Sequence, residues 1–141
     1  MAETMSLREK SAWVSVVTVV VCFGAYFGAI AAGLVHRGGE TFRLLVLCAG
    51  AFLALQIGLN AAAALTTPKD GRTPRDEREQ LIQARSLSLG YYVLASLVVA
   101  LGVPFHLGHP APDLLNFALL DVVVAGLVVA VAQIVMFRRG I

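Results

Sequence analysis

Residues 12–35 read AWVSVVTVVVCFGAYFGAIAAGLV, a run of 24 residues without a single charged side chain. As an α-helix this run would be about 36 Å long, which is enough to cross the hydrocarbon core of a bilayer with some tilt. A signal peptide would have a shorter apolar core of about 7–15 residues. The run therefore predicts a membrane span that the protein retains.

Three further apolar runs follow, at residues 44–65, 87–105 and 114–137. Over the whole chain 58% of the residues are hydrophobic and 14% are charged, whereas soluble proteins average roughly 45–50% and about 25%. The four runs use more than half of the 141 residues, which leaves no stretch for a separate domain. We therefore expect an all-α fold, an integral membrane four-helix bundle, with residues 1–141 as a single four-span domain.

The distribution of lysine and arginine predicts the orientation of these spans. Only Arg37 and Arg43 lie on one side of the membrane in this arrangement. The other side receives Arg8, Lys10, Lys69, Arg72, Arg75, Arg78, Arg85, Arg138 and Arg139. Because short loops rich in cations stay in the cytoplasm, we expect both termini to be cytoplasmic. The expected location is the bacterial cytoplasmic (inner) membrane, crossed several times.

The loop at residues 66–86 is the longest hydrophilic stretch and is expected in the cytoplasm. Thr73 can act as an N-cap and Pro74 suits the first helical position, so a helix start is predicted near residue 74. The charged residues that follow are Asp76, Glu77, Arg78 and Glu79. In a helix that protrudes from the membrane, these four are candidates for contact with a partner protein.

The Asp-Glu-Arg-Glu segment, with Leu81-Ile82, Ala84-Arg85 and Tyr91-Tyr92 after it, resembles part of a known family. The family consists of small, uncharacterised bacterial four-span membrane proteins with a similar motif before the third span. The resemblance covers the four-span layout and this motif. It implies no chemistry, but it implies that residues 76–79 serve the common fold or its contacts.

Small residues recur at intervals of four in the first two spans. Gly24, Gly28 and Ala32 form such a pattern in the first span. In the second span the pattern consists of Gly50, Ala54, Gly58 and Ala62. Small residues allow the close backbone approach that holds helices together in lipid. The pattern predicts helix packing, either between the first two spans or with copies in another subunit, so a homo-oligomer is expected.

Four polar side chains lie inside the apolar runs. They are Asp121, Gln56, Asn60 and Gln133. A carboxylate inside a span costs a few kcal/mol unless it is paired, hydrated or protonated, so Asp121 is a candidate site for an ion, a proton or a polar ligand. The alternative is a structural role, in which the acid is neutral or bonded and the amides join helices by hydrogen bonds.

The sequence offers little for metal binding or catalysis. His36, His106 and His109 fall in the connections opposite the termini and are weak metal-ligand candidates, so no metal and no cofactor are expected. The two cysteines do not form a Cys-x-x-Cys pair, and no serine has a histidine base beside it. We do not expect an enzyme.

Three functions remain after these exclusions, and the third is ligand or metal sensing at the connections that contain His106 and His109. The first is association, as a structural, regulatory or accessory membrane component that binds copies of itself or another membrane protein. The alternative is a small channel or transporter with a polar path around Asp121. Nucleic acid is not an expected partner, because no folded basic surface with aromatic stacking groups is present.

Overall fold

The computed structural model describes residues 7–36, 38–67 and 76–139, and these ranges contain helices but no strand. The helices are α1 (Leu7–Ala31), α2 (Gly39–Thr66), α3 (Glu77–Ala100), α4 (Gly102–His106) and α5 (Ala111–Arg139). The prediction of an all-α fold is confirmed. Taking α3 and α4 together, four helical segments are long and apolar enough to cross a membrane, which fits a multi-pass membrane protein.

The first helix ends earlier than the apolar run that predicts it. Gly33 adopts a left-handed conformation with φ of 68°. The Leu34 N–H donates to the Ala29 carbonyl at 3.1 Å, and the Gly33 N–H donates to the Ile30 carbonyl at 3.1 Å. This pair of bonds is the Schellman motif, which ends a helix at a glycine. The last residues of the predicted span therefore lie in the connection to α2.

The predicted helix start near residue 74 lies outside the described residues, as do Thr73 and Pro74. The described part of α3 begins at Glu77, and Asp76 is its N-cap, with extended backbone angles. The Asp76 carboxylate accepts a hydrogen bond from the Glu77 N–H at 2.8 Å. Asp76 thus satisfies one of the free donors that every helix N-terminus presents.

The long helices pack in the spatial order α2, α1, α5, α3. Extensive contacts join α1 to α2, α1 to α5 and α3 to α5, and contacts between other long helices are marginal. The four helices therefore form a row with three interfaces, and the row is not closed into a ring. Helix α2 has one substantial helix neighbour, and its most apolar segment contains no buried residue.

Glycine has a clear packing role in α3. A Cβ atom on Gly90 would lie 2.3 Å from the Val129 Cγ2 of α5. Gly90 is buried, and its lack of a side chain is what allows α3 and α5 to approach each other at this level.

The four glycines predicted to pack helices together in the first two spans lie outside the α1–α2 interface. The α1–α2 interface contains the Phe23 and Phe52 rings, whose centroids are 5.6 Å apart. By contrast, a Cβ on any of four predicted glycines would meet no atom within 4 Å; these are Gly24, Gly28, Gly50 and Gly58. They do not join the first two spans within one chain, because larger and polar residues occupy that interface. Contact with another copy stays a prediction.

The close approach at Gly90 can be tested by adding one methyl group. We expect Gly90→Ala to destabilise the detergent-solubilised protein by about 1–3 kcal/mol, because the stiff Val129 side chain must move. Gly126→Ala is the matched control, since a Cβ there meets open space. Thermal unfolding of both variants measures the difference. Truncation of Val129 to alanine should relieve the Gly90→Ala defect, and equal stability of the two glycine variants would contradict the packing.

Candidate functional site

Gln56 of α2 connects its helix to α1 through hydrogen bonds. Its Oε1 atom accepts from the Thr18 hydroxyl at 2.8 Å, and its Nε2 atom donates to the Ser15 hydroxyl at 2.7 Å. The Ser15 hydroxyl in turn donates to the Ser11 carbonyl at 3.0 Å. Thr18 is buried, so this amide pairs polar groups that lipid could not solvate.

The other two predicted amides lie in different places. The Asn60 Nδ2 atom donates to the Gln56 carbonyl of its own helix at 2.7 Å. The Gln133 Nε2 atom of α5 donates to the hydroxyl of Ser86 in α3 at 3.1 Å. Ser86 is completely buried. Gln133 therefore connects α5 with α3, whereas Gln56 connects α2 with α1.

A further pair, which the sequence analysis missed, connects α1 with α5. The Tyr26 hydroxyl donates to the Asn116 Oδ1 atom at 2.8 Å, and Tyr26 is only 1% exposed. Thr18, Cys22 and Tyr26 are all buried and follow one another at intervals of four. This spacing in the first apolar run was the available signal for a face that turns toward other helices.

Asp121 lies on α5. It is half-buried, and its Oδ2 atom is buried without a hydrogen-bond partner in the part of the chain that the structure describes. Ala125, one turn further along α5, is buried and faces Gly90 of α3. Gln133 is twelve residues away, or about 18 Å along the helix axis. The four predicted polar residues therefore do not form one connected network.

The predicted partner-contact residues mostly bond within the chain. Asp76 caps α3, as described above. The Arg78 Nη2 atom donates to the Phe137 carbonyl at the end of α5, at 3.4 Å. Glu79 forms an ion pair with Arg8 of α1. Glu77 is exposed, and contact of these residues with a partner protein stays a prediction.

The beginning of α1 is joined to all the other long helices. Besides the Arg8–Glu79 pair, Glu9 accepts a hydrogen bond from the Arg138 Nε atom of α5 at 3.2 Å. The Arg138 guanidinium also lies over the Trp13 ring, 5.5 Å from its centroid. On the α2 side, the Lys10 ammonium donates to the Thr67 hydroxyl at 3.4 Å. Sequence charge alone could not assign these partners.

A cleft opens between α1, α3 and α5 at this end of the molecule, with a volume of about 230 Å³. We call it the Arg8 cleft. Its polar lining consists of Arg8, Ser11, Glu79, Gln83 and Gln133. The presence of both charge signs in one cleft distinguishes it from the larger cavity near Tyr26 and Asn116, whose accessible lining is mainly apolar.

The three histidines do not come together. The His36 Nδ1 atom lies 3.3 Å from a Glu40 carboxylate oxygen, and that of His109 lies 3.8 Å from an Asp113 oxygen. The His106 Nδ1 atom lies 2.7 Å from the Gly102 carbonyl of its own helix. Among the described residues, no group of three or more potential ligands from His, Cys, Asp and Glu is placed to hold a metal ion.

The sequence matches no protein-family model, and neither curated proteins nor solved structures provide a match.

Proposed function

We propose that this chain is a multi-pass protein of the bacterial inner membrane with both termini in the cytoplasm. Four apolar helical segments support the membrane location. The charge distribution supports the orientation, since Arg43 is the one Lys or Arg at the Gly33 end among residues 7–36, 38–67 and 76–139. The remaining described cations are Arg8, Lys10, Arg78, Arg85, Arg138 and Arg139, all at or near the end that carries the termini.

Within that membrane we propose that the protein works by association, as a structural, regulatory or accessory component. The observation that carries this proposal is the position of α2, which has one substantial helix neighbour. On one face of α2, Gln56 bonds to Ser15 of α1, and Ala63 is buried. The opposite face of α2 is exposed and carries small residues at intervals of four, namely Gly50, Ala54, Gly58 and Ala62.

The physical reason is the weakness of hydrophobic association in lipid. A leucine surface gains nothing by leaving lipid tails for another leucine surface, so close backbone packing and hydrogen bonds must hold helices together. The small residues on the outer face of α2 allow close backbone packing. We propose that it packs against a second copy of the chain, and that the exposed Asp76 and Glu77 at the start of α3 contact a further partner in the cytoplasm.

Self-association through α2 predicts a specific effect of bulk at Gly58. Gly58→Leu should raise the dissociation constant of the oligomer in liposomes about tenfold or more, because the leucine side chain would hold the helix backbones apart. Fluorescence energy transfer between labelled copies, diluted with increasing amounts of lipid, measures this constant.

Gly126→Leu is the matched control on α5. A side chain at this position also meets open space within the chain, but the position lies away from the α2 face. We expect its dissociation constant to stay within about twofold of the wild-type value, well below the tenfold change. Equal effects of the two substitutions, or wild-type protein that is monomeric at high protein-to-lipid ratio, would overturn the proposal of association through α2.

A second candidate function is supported by Asp121. A half-buried carboxylate with one oxygen that bonds to no described residue is costly inside a membrane. Such a group is suited to bind and release a proton or a small cation. We propose a small channel or transporter around Asp121 as the alternative function, with Gln56, Asn60 and Gln133 as the other polar residues of the helices.

Flux through purified protein separates the two functions. If the alternative holds, proteoliposomes should show proton or cation flux that falls at least about tenfold in Asp121→Asn, since the amide cannot carry the charge. Ser96→Ala is the matched control, because Ser96 is an exposed residue of α3 outside the proposed path and its hydroxyl bonds to its own helix. Flux that is absent from wild-type liposomes, or that is equal in Asp121→Asn, would exclude a transport path through Asp121.

A further inference from the structure

An ion pair between two helices borders the Arg8 cleft. Arg8 of α1 and Glu79 of α3 form this pair, with 31% and 24% of their side chains exposed. Their helices make no more than marginal backbone contact elsewhere. The pair therefore bridges an opening between two elements that do not otherwise pack, which leaves room for a third molecule beside the charges.

The charges in the cleft restrict which molecule can enter. An anion that draws Arg8 away would leave the Glu79 carboxylate without its cation in a partly desolvated place. Leaving one partner of such a pair uncompensated is strongly unfavourable. A molecule with one negative and one positive group provides an opposite charge for Arg8 and for Glu79 at the same time.

The neutral groups of the cleft fit the same class of ligand. Ser11, Gln83 and Gln133 line it with a hydroxyl and two amides. These groups can donate hydrogen bonds to the phosphate oxygens that Arg8 does not contact. The apolar Ile82 and Phe137 complete the lining. The cleft thus combines phosphate donors, one carboxylate and a small apolar surface.

The level of the cleft along α1 indicates where such a ligand would come from. Arg8, Glu9 and Lys10 form the charged start of the helix, and the apolar run begins at Ala12, followed by Trp13. Tryptophan next to such a boundary is typical of the membrane–water interface. Lipid head groups lie at this level.

We propose that the Arg8 cleft binds the head group of a zwitterionic phospholipid of the phosphatidylethanolamine type. Its phosphate contacts Arg8 and the neutral donors, and its ammonium contacts Glu79. A primary ammonium has three N–H donors for the carboxylate, whereas the trimethylated ammonium of phosphatidylcholine has none. This inference rests on the proposed membrane location and does not depend on association through α2.

Native mass spectrometry of the delipidated full chain in detergent tests the proposal. Phosphatidylethanolamine, phosphatidylcholine and phosphatidylglycerol are titrated separately, with matched acyl chains. We expect the first to bind about tenfold tighter than either of the others, because only it satisfies both charges with hydrogen bonds. The same spectra report subunit number, so a failure of association is seen separately from a failure of lipid selectivity.

Variants assign the selectivity to the cleft. Glu79→Gln should reduce the preference for phosphatidylethanolamine over phosphatidylglycerol to within about threefold, since the stranded carboxylate is gone. Gln83→Leu keeps the ion pair and should weaken phosphatidylethanolamine binding about threefold or more. It provides a second test of the cleft if Glu79→Gln does not fold. Arg138→Gln is the matched control, because it breaks the Glu9–Arg138 pair and leaves the cleft lining intact.

Three outcomes overturn the proposal. They are equal binding of the three lipids to the wild-type protein, a preference that survives both Glu79→Gln and Gln83→Leu, and an equal loss of preference in Arg138→Gln. Free phosphoethanolamine is the last arm of the experiment. Displacement of the lipid only at millimolar concentration supports a lipid ligand, whereas binding as tight as that of the lipid would assign the site to a soluble molecule.

Discussion

The contact between α1 and α5 holds the two halves of the molecule together. Helix α2 packs on α1, and α3 packs on α5, while other contacts between the halves are marginal. At one end the Tyr26 hydroxyl bonds to Asn116, and at the other Arg138 bonds to Glu9 and covers Trp13. In lipid, where apolar burial gives little net attraction between helices, such polar bonds and close packing must supply the stability. The α1–α5 joint therefore sets the position of every other helix in the row.

The row has two different outer edges, and the proposed functions follow from them. Helix α3 is held closely to α5 by the absence of a side chain at Gly90 and by the Gln133–Ser86 bond. Helix α2 is held on one side only, where Gln56 bonds to α1, and its small residues are exposed. An edge with unused small residues is suited to bind another helix, whereas the closely packed α3–α5 pair forms a fixed wall of the Arg8 cleft. The surface proposed for association and the cleft proposed for lipid binding are therefore separate.

Much of the fold could be predicted from the sequence, because uncharged runs of about twenty residues have few alternatives to a helix that crosses a membrane. The polar residues within the runs could also be identified, but their partners could not. Spacing places Gln56 and Asn60 on one face, yet the structure bonds the first to α1 and the second to its own backbone. The repeated pattern that includes Gly50 and Gly58 predicts packing within the chain or between copies, while the single Gly90 has no pattern to distinguish it. Periodicity defines a face of a helix, and only the assembled row shows which faces meet.

Disulfide cross-linking in a bilayer tests the order of the helices most directly. In a background without Cys22 and Cys48, paired cysteines replace residues whose side chains are hydrogen-bonded in the structure: Thr18 with Gln56, Tyr26 with Asn116, and Ser86 with Gln133. A fourth pair of cysteines, at Ile57 of α2 and Leu89 of α3, replaces two exposed residues of helices that are not neighbours in the row. The row predicts rapid intramolecular cross-links for the first three pairs and none for the fourth. An efficient intramolecular α2–α3 cross-link, together with no cross-link between positions 26 and 116, would contradict it.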